Sequence, residues 1–316
     1  MFLDYRKFFD FLNEHYSSEE SIKARLVGTK RDYDSGYFDI VRYFGSDAID
    51  PQDVKIKYLP DQYELKDQQI AKFAREIENK LREQGRMYDG PFVTRAILDG
   101  FYERIILQKC RYGTFAGSCF ALDEENDIFG EYRTLRNYYI NQKYSGLEDH
   151  PLALCLGICG VLIFRDQNKK KCLLMERSGN LASLENSIGP SAAGSVDYSE
   201  KYKTLDELII DALGSEIQEE LNLTSEEYKI TPLAYAREIF RGEKPQIFCM
   251  IESSLTIDEI SKRLDSIKKP EEFTSYQFVD LNDIISQKIK PNHEALMNCF
   301  LIEEYLNMTN KTGSAC

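Results

Sequence analysis

Glu216, Glu219 and Glu220 stand within Ser215-Glu216-Ile217-Gln218-Glu219-Glu220-Leu221. On a helix, positions i, i+3 and i+4 are neighbours, so this spacing makes one acidic face. The preceding residues Leu205, Leu208, Ile209 and Ala212 form an apolar stripe at helical period, and the three glutamates fall on its continuation, where core residues are expected. Like charges on an inward face are costly unless a cation neutralises them, and clustered hard oxygen donors suit Mg²⁺ or Mn²⁺. The plainer alternative is a solvated helix end, because Glu is a good helix former and the chain carries 53 acidic residues.

The surroundings favour the metal site. With seven residues between Glu207 and Ser215, and Leu223 after, the stretch resembles the Nudix box Gx5Ex7REUxEExGU, where U is a bulky aliphatic residue. Ser215 stands where the family has Arg, Asn222 where it has Gly, and the first glycine is displaced. Asn tolerates the left-handed conformation that ends helices, so Asn222 still serves as a cap. The nearest first glycine is Gly194, which leaves seven extra residues before Glu207, expected as a loop through Tyr198 to Lys203. The family's Arg orients the carboxylates, so Ser215 bears directly on activity. Gly189 to Val196 resembles the small-residue strand that enters a Nudix box, and small side chains there admit a diphosphate or metal close to the backbone, with the Gly194 carbonyl a candidate ligand.

The elements that must position these residues can be traced along the chain. Leu154 to Phe164 and Cys172 to Met175 read as a hairpin turning at Asp166-Gln167-Asn168. Ile230 to Glu238, Gln246 to Ile251 and Phe273 to Leu281 read as strands, and Asn292 to Asn307 as a closing amphipathic helix. The resemblance spans Pro151 to Met308 and implies an α/β/α sandwich around a mixed sheet. The first half resembles no recognised family. It shows an amphipathic helix over Phe2 to Tyr16 and a clearer one over Asp67 to Gln84, with Gly85 as its stop. Phe92 to Leu98, Tyr102 to Cys110 and Phe115 to Leu122 read as a β-meander, and Phe129 to Gln142 as helix. The polar stretch Ser145 to Pro151 marks the boundary. The expected organisation is an α/β protein of the α+β type: a smaller mixed α/β domain over 1–148, contributing to substrate binding or a homodimer, a Nudix-like domain over 149–308, and a flexible tail over 309–316.

Composition sets limits on function. The 316 residues suffice for two domains, with 42% hydrophobic and 29% charged content, and a net charge of −13 argues against a protein built to grip nucleic acid or an anionic membrane. The eight cysteines include no CxxC pair and sit in apolar segments, so they read as reduced core thiols. No apolar run approaches the ~20 residues of a membrane span, and no secretory leader is recognisable, so the expected setting is cytoplasmic.

Secondary candidates follow. Arg237, Ile239 and Arg241 alternate along an expected strand, placing both guanidiniums on one face with Lys244 close behind, a phosphate clamp or a set of surface ion pairs. Lys169-Lys170-Lys171 reads as a solvated hairpin tip. His15, His150 and His293 read as structural. Thr204 to Glu207 is a capping box, which assigns Glu207 to the helix start and a supporting role. The resemblance implies metal-dependent hydrolysis of a diphosphate linkage in a nucleoside diphosphate derivative such as a nucleotide sugar, ADP-ribose, a dinucleotide or a coenzyme. Glu216, Glu219 and Glu220 would be the catalytic metal ligands, with Arg237, Arg241 and Lys244 on the substrate. Two alternatives stand beside it. One is a degenerate nucleotide-binding protein of the same fold, motivated by Ser215. The other is a diphosphate isomerase, which needs a cysteine near the motif's start; none lies between Cys172 and Cys249.

Overall fold

The computed structural model describes residues 38–45, 49–87, 90–98, 104–141, 150–166, 169–179, 184, 186–267, 273–286 and 288–313. The expected helix over 2–16, His15, the turn residues 167 and 168 and most of the polar boundary stretch lie outside them. Strands β1 (Phe38–Tyr43) and β2 (Lys55–Tyr58) come first, then helix α1 (Gln68–Glu83). Asp67 caps α1 by accepting from the Gln69 and Ile70 amides, and Ile70, Phe73, Ala74, Ile77 and Leu81 form its buried face, as their spacing requires.

β3 (Phe92–Leu98) and β4 (Arg104–Arg111) lead into helix α2 (Tyr112–Cys119), which replaces the strand expected over Phe115 to Leu122. Gly113 and Gly117 explain the difference. Residues four apart share one helix face, and here that face meets α1 so closely that a Cβ on either glycine would overlap the Glu78 carboxylate or the Ala74 carbonyl. The helix expected over Phe129 to Gln142 is also broken. A 3₁₀ segment (Asp127–Tyr132) ends at Arg133, whose φ is 61°, and α3 (Leu135–Ile140) restarts under a Thr134 cap.

β5 (Gly157–Asp166), β6 (Lys169–Arg177), β7 (Ile188–Gly189), β8 (Ala192–Ser195) and helix α4 (Leu205–Leu221) follow. The remainder comprises β9 (Tyr228–Glu238), β10 (Lys244–Ser253), α5 (Ile257–Asp265), β11 (Phe273–Asp280), α6 (Leu281–Ile285) and α7 (His293–Gly313). The strands over 230–238, 246–251 and 273–281 thus form near their expected bounds. The tail expected from 309 is helical to Gly313, where Thr309 Oγ1 donates to the Tyr305 carbonyl at 3.1 Å.

Among the described residues, eight strands form one mixed sheet in the order β1-β9-β10-β5-β6-β11, with β7 on β6 and β8 on β5. β10 and β5 run parallel and the other pairs antiparallel. Alternation along β5 separates two cores: Ile158, Leu162 and Phe164 pack with α4 and α5, while Cys159, Val161 and Ile163 pack with α6 and α7. The result is an α/β/α sandwich around a mixed sheet. A second sheet, β2-β4-β3, packs with α1, α2 and α3 in a third core. The seven described cysteines are all buried free thiols.

The expected division at 148 does not separate the two sheets. β1 belongs to the large sheet, paired with β9. The small sheet is bonded to the loop between β8 and α4: the Thr94 amide donates to Val196 at 2.8 Å, Tyr198 to Phe92 at 2.7 Å, Ile56 to Lys203 at 3.0 Å and Leu205 to Val54 at 2.9 Å. Tyr58 adds a hydroxyl bond to the Tyr202 carbonyl at 3.0 Å. The extra residues between Gly194 and Glu207 are therefore a docking strip for the first half of the chain.

Candidate active site

Helix α4 starts at Thr204, whose hydroxyl accepts from the Glu207 amide at 3.4 Å, while the Glu207 carboxylate accepts from the Lys203 amide at 2.6 Å. Glu207 thus fixes the helix start, away from the other glutamates. Asn222 ends the helix in the left-handed region at φ 54°, as its cap role requires. Between these caps the buried stripe continues through Leu213, Ile217 and Leu221, so the acids do not replace core residues as expected. Glu216 and Glu220 are half-buried along its edge and Glu219 is exposed.

β8 receives two of these carboxylates. Glu220 accepts from the Ala193 amide at 3.0 Å. Glu216 lies so close over Gly194 that a Cβ there would overlap its carboxylate. Ser215 Oγ donates to Glu219 at 3.2 Å, so the residue standing at the motif's arginine position still orients one acid. Asp197, an acid the sequence reading missed, lies on the same wall. Partial burial and then the neighbouring Glu219 charge raise its pKa from the ordinary aspartate value.

These residues line a cavity of about 570 Å³ that both halves of the chain build. Glu216, Glu219, Asp197 and Gly194 form one wall, and Arg177, Lys201, Arg241 and Lys244 also reach it. Arg177 escaped sequence reading because it ends a strand with no neighbouring motif residue. Its Nε is buried without a hydrogen-bond partner among the described residues. Lys201 pairs with Asp211 at 2.9 Å, and Tyr202 donates to the same carboxylate at 2.6 Å. The Tyr202 bond first, then Lys201, holds the Asp211 carboxyl below its usual range.

The floor is a buried charged network. Arg241 Nη1 lies 3.1 Å from Glu294 and 3.4 Å from Glu238, Lys244 Nζ lies 3.6 Å from Glu238 and bonds Gln246, and His293 Nε2 meets Glu238 at 2.7 Å. Burial pushes the Glu238 carboxyl up, but Arg241, Lys244 and His293 outweigh it and hold the pKa at about 2. Glu294 is likewise held low, its burial opposed chiefly by Arg241. From the first half, Arg136 forks onto Asp123 at 2.6 and 2.9 Å and donates to the Ile239 carbonyl at 3.2 Å, bracing the turn that presents Arg241.

Arg237 departs from its expected place. β9 ends at Glu238, and the chain turns through a 3₁₀ segment (Ile239–Arg241) with Gly242 at φ 69°, so Arg237 and Arg241 do not share a strand face. Arg237 pairs with Glu243 at 2.9 Å and does not line the cavity. His150 is structural: burial first, then Arg95, drives its pKa down to about 3, and its neutral ring accepts from the Leu152 amide.

The carboxylate set offers the hard oxygen donors that Mg²⁺ or Mn²⁺ prefer, and the Gly194 cradle brings backbone to the same wall. Among the described residues no three His, Cys, Asp or Glu side chains converge on one point; Glu220 turns to Ala193 while Glu216 and Glu219 face the cavity.

No protein-family model and no curated relative matches this chain. Solved structures similar to it include an Ap4A hydrolase from C. elegans, 17% identical over 48% of this chain and 98% of its own, with a TM-score of 0.33. A MutT protein from Methanosarcina mazei is 18% identical over 50% of this chain and 95% of its own, at 0.34. The NUDIX domain of Shewanella oneidensis NrtR, crystallised with ADP ribose, is 14% identical over 55% of this chain and 99% of its own, at 0.34. Each of these matches covers about half of this chain. Among the described residues no helix is long and apolar enough to cross a membrane.

Proposed function

We propose that this protein is a divalent-metal-dependent hydrolase of a diphosphate linkage in a nucleoside diphosphate derivative. The observation that carries the reading is one cavity with the acids of α4 on one wall and Arg177, Lys201, Arg241 and Lys244 around it. A diphosphate bridging these groups would be held by cations and presented to the carboxylates. Glu216 and Glu219, with the Gly194 carbonyl, would hold Mg²⁺ or Mn²⁺, and Glu220 would join them on leaving the Ala193 amide. When bound, such an ion supplies charge neutralisation at phosphate oxygens and acidifies an attacking water. Asp197, which lines the same cavity as Glu216 and Glu219, is the candidate base outside the helix. Arg177 and Lys244 would orient the substrate phosphates, and Arg241 would do so from its braced turn.

The test is nucleoside monophosphate release from a panel of nucleoside diphosphate derivatives, with Mg²⁺ or Mn²⁺ and with chelator. Glu216→Gln is expected to lower metal-dependent kcat/KM by roughly 10²–10³-fold in folded protein, the scale of losing one preorganised charge-stabilising group. Equal turnover in native protein and variant would overturn the assignment. Ser215 keeps a second reading open, a nucleotide-binding protein without turnover. Saturable binding with no cleavage of any compound would select it.

A further inference from the structure

The cavity has a third wall that phosphate chemistry does not use. Tyr112, Phe115 and Phe120, all from the first half of the chain, line it. Their rings meet edge to face, with centroids 5.9 Å apart for Tyr112 and Phe115, 6.4 Å for Tyr112 and Phe120, and 5.0 Å for Phe115 and Phe120. Phe115 and Phe120 are 1% and 3% exposed, so they back the partly exposed Tyr112 ring rather than offering faces of their own. The Arg241 guanidinium lies 5.6 Å from the Phe120 ring, joining this wall to the cationic floor.

We infer that Tyr112, backed by Phe115 and Phe120, is the nucleobase site, so that the first half of the chain selects the substrate. The inference rests on the diphosphate reading given above. A cavity of about 570 Å³ is the size that encloses a whole ligand of nucleotide dimensions. Its polar part is matched to phosphate, which leaves the aromatic wall for a planar π-surface, and bases stack on such rings with little regard to sequence. The shelf is also rigid. α2 is fixed to α1 through Gly113 and Gly117, and β3 is bonded to the loop carrying Asp197, where Thr94 Oγ1 meets the Asp197 carbonyl at 3.0 Å. Base, phosphates and acids would therefore be held at fixed mutual positions, as efficient phosphoryl transfer demands.

The experiment is equilibrium binding in chelator, where no turnover occurs, of ADP, UDP, isopentenyl diphosphate and inorganic pyrophosphate to native protein, Tyr112→Leu and Tyr112→Phe. ADP or UDP is expected to bind at least about tenfold tighter than pyrophosphate, and Tyr112→Leu to erase that margin while leaving pyrophosphate binding unchanged. Tyr112→Phe should keep it, because the ring and not the hydroxyl is invoked. Equal weakening of all four ligands, no effect of Tyr112→Leu on any, or isopentenyl diphosphate binding as tightly as ADP would each overturn the base site. Photolabelling of native protein with an azido-adenine ADP supplies a readout that needs no variant: label on residues 112–120 supports the site, and label elsewhere refutes it. Because binding is read without catalysis, a Tyr112-dependent margin in a protein that never cleaves its ligand would refute the hydrolase and leave the base site standing.

Discussion

The two charged walls of the cavity are built in opposite ways. The carboxylate wall comes from one helix and the strand beside it, and its acidic groups are half-buried or exposed. The cationic floor is gathered from the turn after β9, the start of β10 and the start of α7, and Arg241, Lys244, Glu238 and Glu294 are all buried there. The first wall can bend its side chains toward a ligand without disturbing a core. The second is locked by mutual charge balance: two acids, two bases and a histidine, each needing the others. An adaptable acidic wall thus faces a rigid, charge-balanced floor.

Breaking the rigid side should have the largest effect, and on folding as well as activity. Glu238→Gln leaves Arg241 and Lys244 buried with only Glu294 opposite them, and breaking a buried pair in this way costs about 3–5 kcal/mol. A large fall in the thermal midpoint, measured by calorimetry, is the expected outcome; an unchanged midpoint would mean that the network is not balanced as described. The same group makes a pH prediction. The folded pKa of Glu238 is held at about 2, below its ordinary 4.5. Its stabilising contribution is therefore complete above pH 4.5 and lost as pH falls from there toward 2. Native protein should lose stability across that acid window, and Glu238→Gln should show a flatter profile there.

The contrast also explains what could be read from the chain. Glu216, Glu219 and Glu220 were visible because a helix brings residues three and four apart together, so spacing alone predicts proximity. Gly194 and Asn222 were visible for a similar reason, since a backbone requirement restricts residue type at one position. The floor had no such signature. Glu238, Lys244 and His293 meet through strand register and helix docking, and Arg237 looked equivalent to Arg241 until the turn at Ile239 separated them. In the first half, Phe115 and Phe120 carry strand propensity, and the helix–helix contact through Gly113 and Gly117 overrides it. The seven extra residues before Glu207 read as a loop, and only the structure shows the small sheet bonded to them.

An intermediate effect is expected where the flexible wall meets backbone. Gly194→Ala would place a methyl on the Glu216 carboxylate. The half-buried glutamate can swing aside, so the stability loss should stay near the lower end of the 1–3 kcal/mol typical of overpacking. Catalysis has less tolerance, because a displacement of about 1 Å in a positioned group can lower rate ~10²-fold. The expected result is a fall in metal-dependent kcat/KM with a nearly unchanged thermal midpoint, and higher Mg²⁺ or Mn²⁺ needed for half-maximal rate. A midpoint loss as large as that of Glu238→Gln would erase the proposed difference between the two walls.

Ser215 offers the smallest and sharpest probe. Its hydroxyl holds Glu219 at 3.2 Å, but both residues are exposed, and an exposed neutral donor restrains a carboxylate weakly against water. Ser215→Ala should leave stability within about 0.5 kcal/mol, as surface changes usually do. If the acidic wall is adaptable, Glu219 reaches its ligand without the serine, and kcat/KM falls only by about the few-fold value of one lost modest hydrogen bond. A hundredfold fall would instead show that Ser215 performs the orienting task that the arginine performs in the Nudix box, and that the acidic wall is as preorganised as the floor beneath it.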